Sequence, residues 1–306
     1  MRKKNISGAA KDNIQFVLLA LPAFLLILVF SYLPIGGVVL AFKGFNVQEG
    51  IFGSPWTGLK NFEFFFTSSD MWRVLRNTVC LNLLFIAGGL VCSVGFAVLL
   101  FGIRRKRFIK FYQTVTIMPS FLSWVVVGFM AFTLLDPTRG LINQIIVSTG
   151  GDAVKWYSMP NYWPVILLLV SLWHGVGNGS IFYFANLMGM DVELLEAASL
   201  DGAKRWQQFL FIILPYITPL IIIMTILNIG SIFRSDFGLF FNVTRNLGVL
   251  YPTTDVIDTY VYRALMKVGD VGMSAAVGLF QSVVGFILIL GTNLIVRKIE
   301  PEDALF

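Results

Sequence analysis

Six stretches of this sequence, each about 20 residues or longer, carry almost nothing but apolar side chains, and that excludes nearly every soluble fold. They lie at roughly 15–41, 78–101, 115–135, 163–185, 216–236 and 274–296. A helix needs about 20 apolar residues to cross ~30 Å of hydrocarbon. Only a helix or a closed barrel satisfies its own backbone polar groups there. With 13% charged and 57% hydrophobic residues, the chain falls well below the roughly 25% charge of soluble domains. The expectation is an all-α integral membrane protein of six transmembrane helices, forming a single domain over 1–306. "MRKKN" before the first run imitates a signal peptide, but the run is too long and no A-x-A-like site ends it. It reads as a retained first span, with Pro22 and Pro34 bending it or ending it early.

The net charge of +6 points to membrane orientation rather than to nucleic acid, because the cations flank the spans. Arg2, Lys3, Lys4 and Lys11 lie before the first span. Arg104, Arg105, Lys106, Arg107 and Lys110 crowd the 102–114 loop, Lys204 and Arg205 the 186–215 loop, and Arg297 and Lys298 the C-terminus. Cations on the other side are fewer and spread over longer loops, so both termini are expected in the cytoplasm, with the chain a multi-pass membrane protein. "RRKR" at 104–107 then anchors on anionic headgroups, or makes a second contact with a cytoplasmic partner. On the outside, "KWYSMPNYWP" at 155–164 offers Trp156, Tyr157, Tyr162 and Trp163 to an aromatic belt. The linkers 42–77 and 237–273 carry turn residues and are expected to form short helices. Cys80 and Cys92 share one helical run, about 18 Å apart at ~1.5 Å per residue, and read as buried thiols. One histidine, His174, rules out a multi-imidazole zinc site. In "WHGVGNGS" it reads as a packing residue or a backbone hydrogen-bonder, beside Gly175, Gly177 and Gly179, which suit close helix approach or a bend.

One polar stretch interrupts this pattern: "ELLEAASLDGAKRWQQFLFIILP", Glu193 to Pro215. Asp191 can cap a helix from about Val192 that carries Glu193 in its first turn and stops at Gly202. A second helix follows, with Trp206, Phe209, Leu210 and Ile213 on one stripe, and Pro215 bending the chain before the fifth span. Two readings stand on pattern alone, an interfacial loop resting its stripe on headgroups and a docking platform for a cytoplasmic partner.

The stretch resembles the EAA signature of ABC-importer permeases, E-A-A-x3-G-x9-I-x-L-P. Glu196, Ala197, Ala198, Gly202, Ile212, Leu214 and Pro215 match it at every specified position, and Asp201 and Ala203 complete the "DGA" of sugar permeases. "GLKNF" at 58–62, Asn77-Thr78, Pro119, "GLIN" at 140–143 and the segment 233–265 extend the likeness over nearly the whole chain. They bring it nearest to the LplB-type oligosaccharide and polysaccharide permeases. The resemblance implies a type I ABC-importer permease that imports a sugar by alternating access. It implies a second, different permease, two cytoplasmic ATPase subunits and an extracellular sugar-binding protein as partners. Glu196, Ala197, Ala198, Ser199, Asp201 and Gly202 are then expected to dock on the ATPase. The chain has no P-loop, so it needs no cofactor of its own; ATP and Mg²⁺ belong to the ATPase, and the chain is not itself an enzyme.

For the substrate path, Arg234 and Asp236 at the end of the fifth span are either functional charges or markers of where lipid ends. Asn228, Ser231 and Phe233, with Arg234, offer polar groups and an aromatic face to a sugar. The alternative function is an ion-coupled secondary sugar transporter, which calls for acids near span centres and internal repeats; neither is evident. A membrane-embedded transferase would need paired carboxylates, and the acids of the 191–201 stretch are the only cluster.

Overall fold

The computed structural model describes residues 6–299, so Arg2, Lys3 and Lys4 lie outside the described residues. The described residues form helices joined by short loops, with one isolated bridge, Lys43 to Trp56. Eleven helices are labelled here: α1 (Ile6–Ile27), α2 (Lys60–Thr67), α3 (Met71–Phe101), α4 (Lys106–Ile117), α5 (Trp124–Leu134), α6 (Leu141–Ser148), α7 (Trp163–Leu187), α8 (Glu193–Leu200), α9 (Leu214–Gly230), α10 (Ile257–Arg263) and α11 (Val271–Ile299). Among the described residues five helical segments are long and apolar enough to span, and six if one bent pair counts as a span. The short helices expected in the 42–77 and 237–273 linkers are present. The first run stays helical from Phe16 to Phe42 despite its prolines: Pro22 lies within regular α-helix, and Pro34 falls at the start of a 3-10 stretch, Leu33–Phe42, that follows a π turn at Leu28–Tyr32. Both geometries tolerate missing i→i−4 bonds.

The third span departs from the expectation of one helix over 115–135. Lys106–Phe121 and Trp124–Leu134 meet at 97°. Pro119 cannot donate to the helical ladder, and Ser123 adopts an extended conformation and caps α5 by accepting the Val126 N–H at 3.4 Å. Apolarity alone carries no information about such a turn. His174 meets the break: its Nε2 lies 3.2 Å from the Leu122 carbonyl, and its ring stacks on Trp124 at 4.1 Å. α7 is an unbroken helix, and Gly177 and Gly179 serve close approach rather than bending. A β-carbon on Gly177 would collide with the Thr116 carbonyl, and one on Gly179 would lie 2.7 Å from Ser93 Oγ. At Gly175 nothing lies within 4 Å. Gly177→Ala should therefore destabilise the protein by about 1–3 kcal/mol through overpacking, and Gly175→Ala should leave the thermal midpoint in detergent unchanged.

The chain divides into two compact units. One contains the residues up to Thr67 together with Ala264–Leu279. Within it, "GLKNF" has a mechanical role. Asn61 Nδ2 donates to the carbonyls of Ala41 and Lys43, both at 2.9 Å, satisfying the end of the first helical run. Lys43 is buried and gives its ammonium to the Ile51 and Phe52 carbonyls, each at 2.9 Å.

The other unit contains Ser68–Arg263 and the chain from Phe280 onward. α3 and α7 run parallel at its centre. Leu81, Trp163, Leu167, Val127 and Phe240 pack around their N-terminal halves, and Val94, Ala97, Tyr183, Leu187, Ile213 and Ile217 around their C-terminal halves. The expected aromatic belt is mostly core. Trp163 is fully buried and donates to the Trp156 carbonyl at 2.9 Å. Trp156 Nε1 bonds Asn143 at 3.2 Å, and Tyr157 OH bonds the Val243 carbonyl at 3.1 Å. Burial pushes the Tyr157 phenol up to about 12, against the opposing effect of nearby Arg245. Only Tyr162 of the four keeps an exposed ring. These rings have more to gain from each other than from headgroups because α5, α7 and the 239–243 segment converge there. The cysteines are likewise corrected: Cys80 is exposed and Cys92 half-exposed, on the outer surface of α3, since α7 covers only one side of that helix.

The loop before α10 is pinned by a buried carboxylate. Asp255 takes Arg263 Nη2 at 2.6 Å on one oxygen and Arg73 Nη2 at 3.2 Å on the other, with none of its side chain exposed. Arg263 also lies over the Tyr251 ring at 4.1 Å.

Candidate functional site

The polar stretch builds an exposed helical knob. Asp191 Oδ1 accepts the Glu193 N–H at 2.9 Å, so the first turn starts on a side-chain cap with Glu193 and Glu196 at its positive end. α8 ends in a paired closure: the Ala203 N–H reaches the Ala198 carbonyl at 2.9 Å, the Gly202 N–H the Ser199 carbonyl at 3.1 Å, and Gly202 sits at φ +82°. This is the Schellman arrangement that glycine favours. Glu196, Ala197, Ser199, Asp201 and Gly202 face outward, and Ala198 is half-buried. Leu200, absent from the sequence-based set, is 90% exposed, an apolar tip that water alone does not explain.

After Gly202 the structure differs from the sequence reading. Arg205–Gln208 does not begin a separate interfacial helix. It runs through a π turn at Phe209–Ile213 into α9 as one segment, Arg205–Gly230. Pro215 thus bends nothing sharply, because the π turn just before it absorbs the missing donor and the ring. The expected stripe also splits: Trp206 and Leu210 are exposed, while Ile213 joins Ile217 inside. The knob is fastened to this segment by Gln208, whose Nε2 donates to Ser199 Oγ at 2.8 Å and to the Ala203 carbonyl at 3.3 Å. Gln207 Oε1 accepts the Lys204 N–H at 2.8 Å. Neither glutamine stands out in sequence, since both lie off the apolar stripe.

The second feature is a cavity of about 400 Å³ between the middle of α3, the last third of α7 and the end of α9. It is lined by Asn82, Phe85, Ser93, Phe182, Tyr183, Thr225, Asn228, Ser231 and Arg234, among others. Three of the five sequence candidates therefore meet here. Phe233 turns away onto Phe280, edge to face at 5.9 Å, and Asp236 caps the following turn by accepting the Leu239 N–H at 3.2 Å. The five do not share one span, because α9 ends at Gly230 and Ser231 to Asp236 lie beyond it. Asn82 positions that segment, donating to the Ile232 carbonyl at 2.7 Å and to Ser235 Oγ at 3.0 Å. The sequence reading missed all four of Asn82, Ser93, Phe85 and Phe182: Asn82 and Ser93 carried a signal, as polar residues inside an apolar run, and Phe85 and Phe182 carried none, being two phenylalanines among 29.

A helical membrane chain with an exposed, glycine-closed knob and a cavity among its spans has the build of an ABC-importer permease. Residues 89–301 match the family described as binding-protein-dependent transport system inner membrane component, and the chain belongs to that family. It is 36% identical over 295 residues to protein LplB of Bacillus subtilis (strain 168), covering 96% of this chain and 92% of the relative. It is also 36% identical over 288 residues to the polygalacturonan/rhamnogalacturonan transport system permease protein YteP of the same organism, covering 93% and 88%. The fold superposes on a chain of a bacterial ABC transporter involved in the import of the acidic polysaccharide alginate, with TM-score 0.86, 29% identity and coverage of 97% of this chain and 100% of that one. A second structure of the alginate transporter, in complex with an alginate pentasaccharide-bound periplasmic protein, gives TM-score 0.85 at 28% identity, with coverage of 97% and 98%.

Proposed function

We propose that this chain forms half of the membrane channel of an ATP-driven importer, taking up an oligosaccharide or polysaccharide fragment by alternating access. The observation that carries the reading is the knob: an exposed helix ended by Gly202 and fastened through Ser199 and Gln208 to the segment that becomes α9. A push on α8 is thereby delivered to the helix that borders the cavity. Glu196, Ala197, Ala198, Ser199, Asp201 and Gly202 dock in a cleft of a separate ATPase, with Glu196 making charge-assisted hydrogen bonds. That ATPase binds ATP and Mg²⁺, and this chain contributes motion without catalysis. Closure of two ATPase subunits draws two such knobs together and rocks the spans as rigid bodies.

The partners are a second permease of different sequence, two ATPase subunits and an extracellular sugar-binding protein; both termini lie in the cytoplasm. Support for a saccharide cargo comes from the permease and transporter relatives and from the cavity, where Asn82 and Asn228 offer amides to hydroxyls and Phe85 and Phe182 offer faces to sugar rings. Co-purification with the ATPase of its own cell, followed by hydrolysis assays in lipid, tests the proposal. An associated ATPase stimulated by sugar-loaded binding protein supports it. Absence of any associated ATPase would return the ion-coupled transporter to first place.

A further inference from the structure

Arg234 is the one formally charged residue lining the 400 Å³ cavity. It lies four residues past the end of α9, and a charge that close to a span is a functional candidate. Among the described residues no carboxylate forms an ion pair with it, and its single hydrogen bond is from Nη2 to Ser282 Oγ at 3.1 Å. The acid that feels its charge, Asp258, is otherwise engaged: its Oδ2 accepts the Ser235 N–H at 2.7 Å. Burial moves the Asp258 carboxyl upward, which weakens it further as a counter-ion. The guanidinium side chain is exposed toward open space and has five donors in a fixed fork, four of them uncommitted after Ser282. Its backbone is held in place, because the adjoining Ile232 carbonyl and Ser235 hydroxyl are both taken by Asn82.

We infer that the cavity selects a saccharide bearing a carboxylate, a uronic acid, whose charge Arg234 reads by a forked hydrogen bond. This rests on the importer reading above and narrows its substrate class. A neutral sugar would leave the guanidinium with no anionic partner, whereas a planar carboxylate matches its two parallel donors. The aromatic faces of Phe85 and Phe182 remain for the ring carrying that carboxylate.

The test is direct binding to the complete transporter in nanodiscs without its binding protein, so that only the membrane site discriminates. The probes are tetragalacturonate, its methyl ester, maltotetraose and sucrose 6-phosphate. Wild type should hold the acid at least tenfold tighter than the ester. Arg234→Gln should weaken acid binding by about ten- to a hundredfold, as expected for loss of a charge-assisted bond, with ester affinity and thermal midpoint unchanged. Arg234→Lys should fall between. Equal binding of acid and ester by wild type, an undiminished preference in Arg234→Gln, or tighter binding of the phosphate overturns the inference. If maltotetraose alone binds, the saccharide reading survives and this one fails. If no saccharide binds, the cavity is not the sugar site and both fall.

Discussion

Gly202→Val should insert into the membrane at wild-type levels and yet lower sugar uptake at least tenfold. A β-carbon at Gly202 meets no atom within 4 Å, so the loss would arise from the backbone and not from crowding within this chain. At φ +82° an L-residue costs roughly 1–2 kcal/mol, and a β-branched one fits worst. Escape to negative φ breaks the two bonds to Ala198 and Ser199 and swings α8 away from Gln208. Gly202→Asn separates the causes, because asparagine tolerates the left-handed region. Uptake restored by asparagine assigns the defect to the turn. An asparagine variant as inactive as valine assigns it to a partner surface that approaches the glycine too closely for any side chain. Normal uptake with valine would remove the coupling role.

The largest loss of stability should come from Asp255→Ala, at about 3–5 kcal/mol, because two guanidinium groups are left without their shared carboxylate in a buried site. Asp70 is the internal comparison. It pairs with the same Arg73 at 2.9 Å but with 43% of its side chain exposed, and removing it should cost no more than ~1 kcal/mol. Thermal unfolding in detergent of the two alanine variants reads the difference. Equal midpoints for Asp255→Ala and wild type would mean that Arg73 and Arg263 find other partners.

The span count and the knob were legible in the sequence because each rests on short-range physics: run length for the spans, and cap, acid, small residues and glycine for α8. What failed depended on distant residues. The 97° turn in the third span needs Thr116 packed on Gly177 and His174 on Leu122, contacts across more than 50 positions. The Trp156, Tyr157 and Trp163 cluster read as a belt because aromatic side chains suit both an interface and a core, and only the convergence of α5 and α7 decides. The cavity was half legible. Asn228, Ser231 and Arg234 were found from one segment, but Asn82 and Phe182 join them only once α3 and α7 lie side by side. Asp255 and Arg73 gave no local sign of each other over 182 positions.

The polar residues of α3 have a consequence for how the protein is made. Asn77 donates to the Tyr251 and Pro252 carbonyls, Thr78 Oγ1 accepts the Ile257 N–H, and Asn82 holds the Ile232 carbonyl. Each partner is translated at least 150 residues later. While the ribosome is still extending the chain, the amide donors of Asn77 and Asn82 lack these carbonyls, whereas Thr78 keeps its bond to the Val74 carbonyl and Arg73 its pair with Asp70. A chain cut short before residue 232 therefore leaves the Asn82 amide, in the middle of an apolar helix, without the carbonyl that satisfies it in the finished subunit.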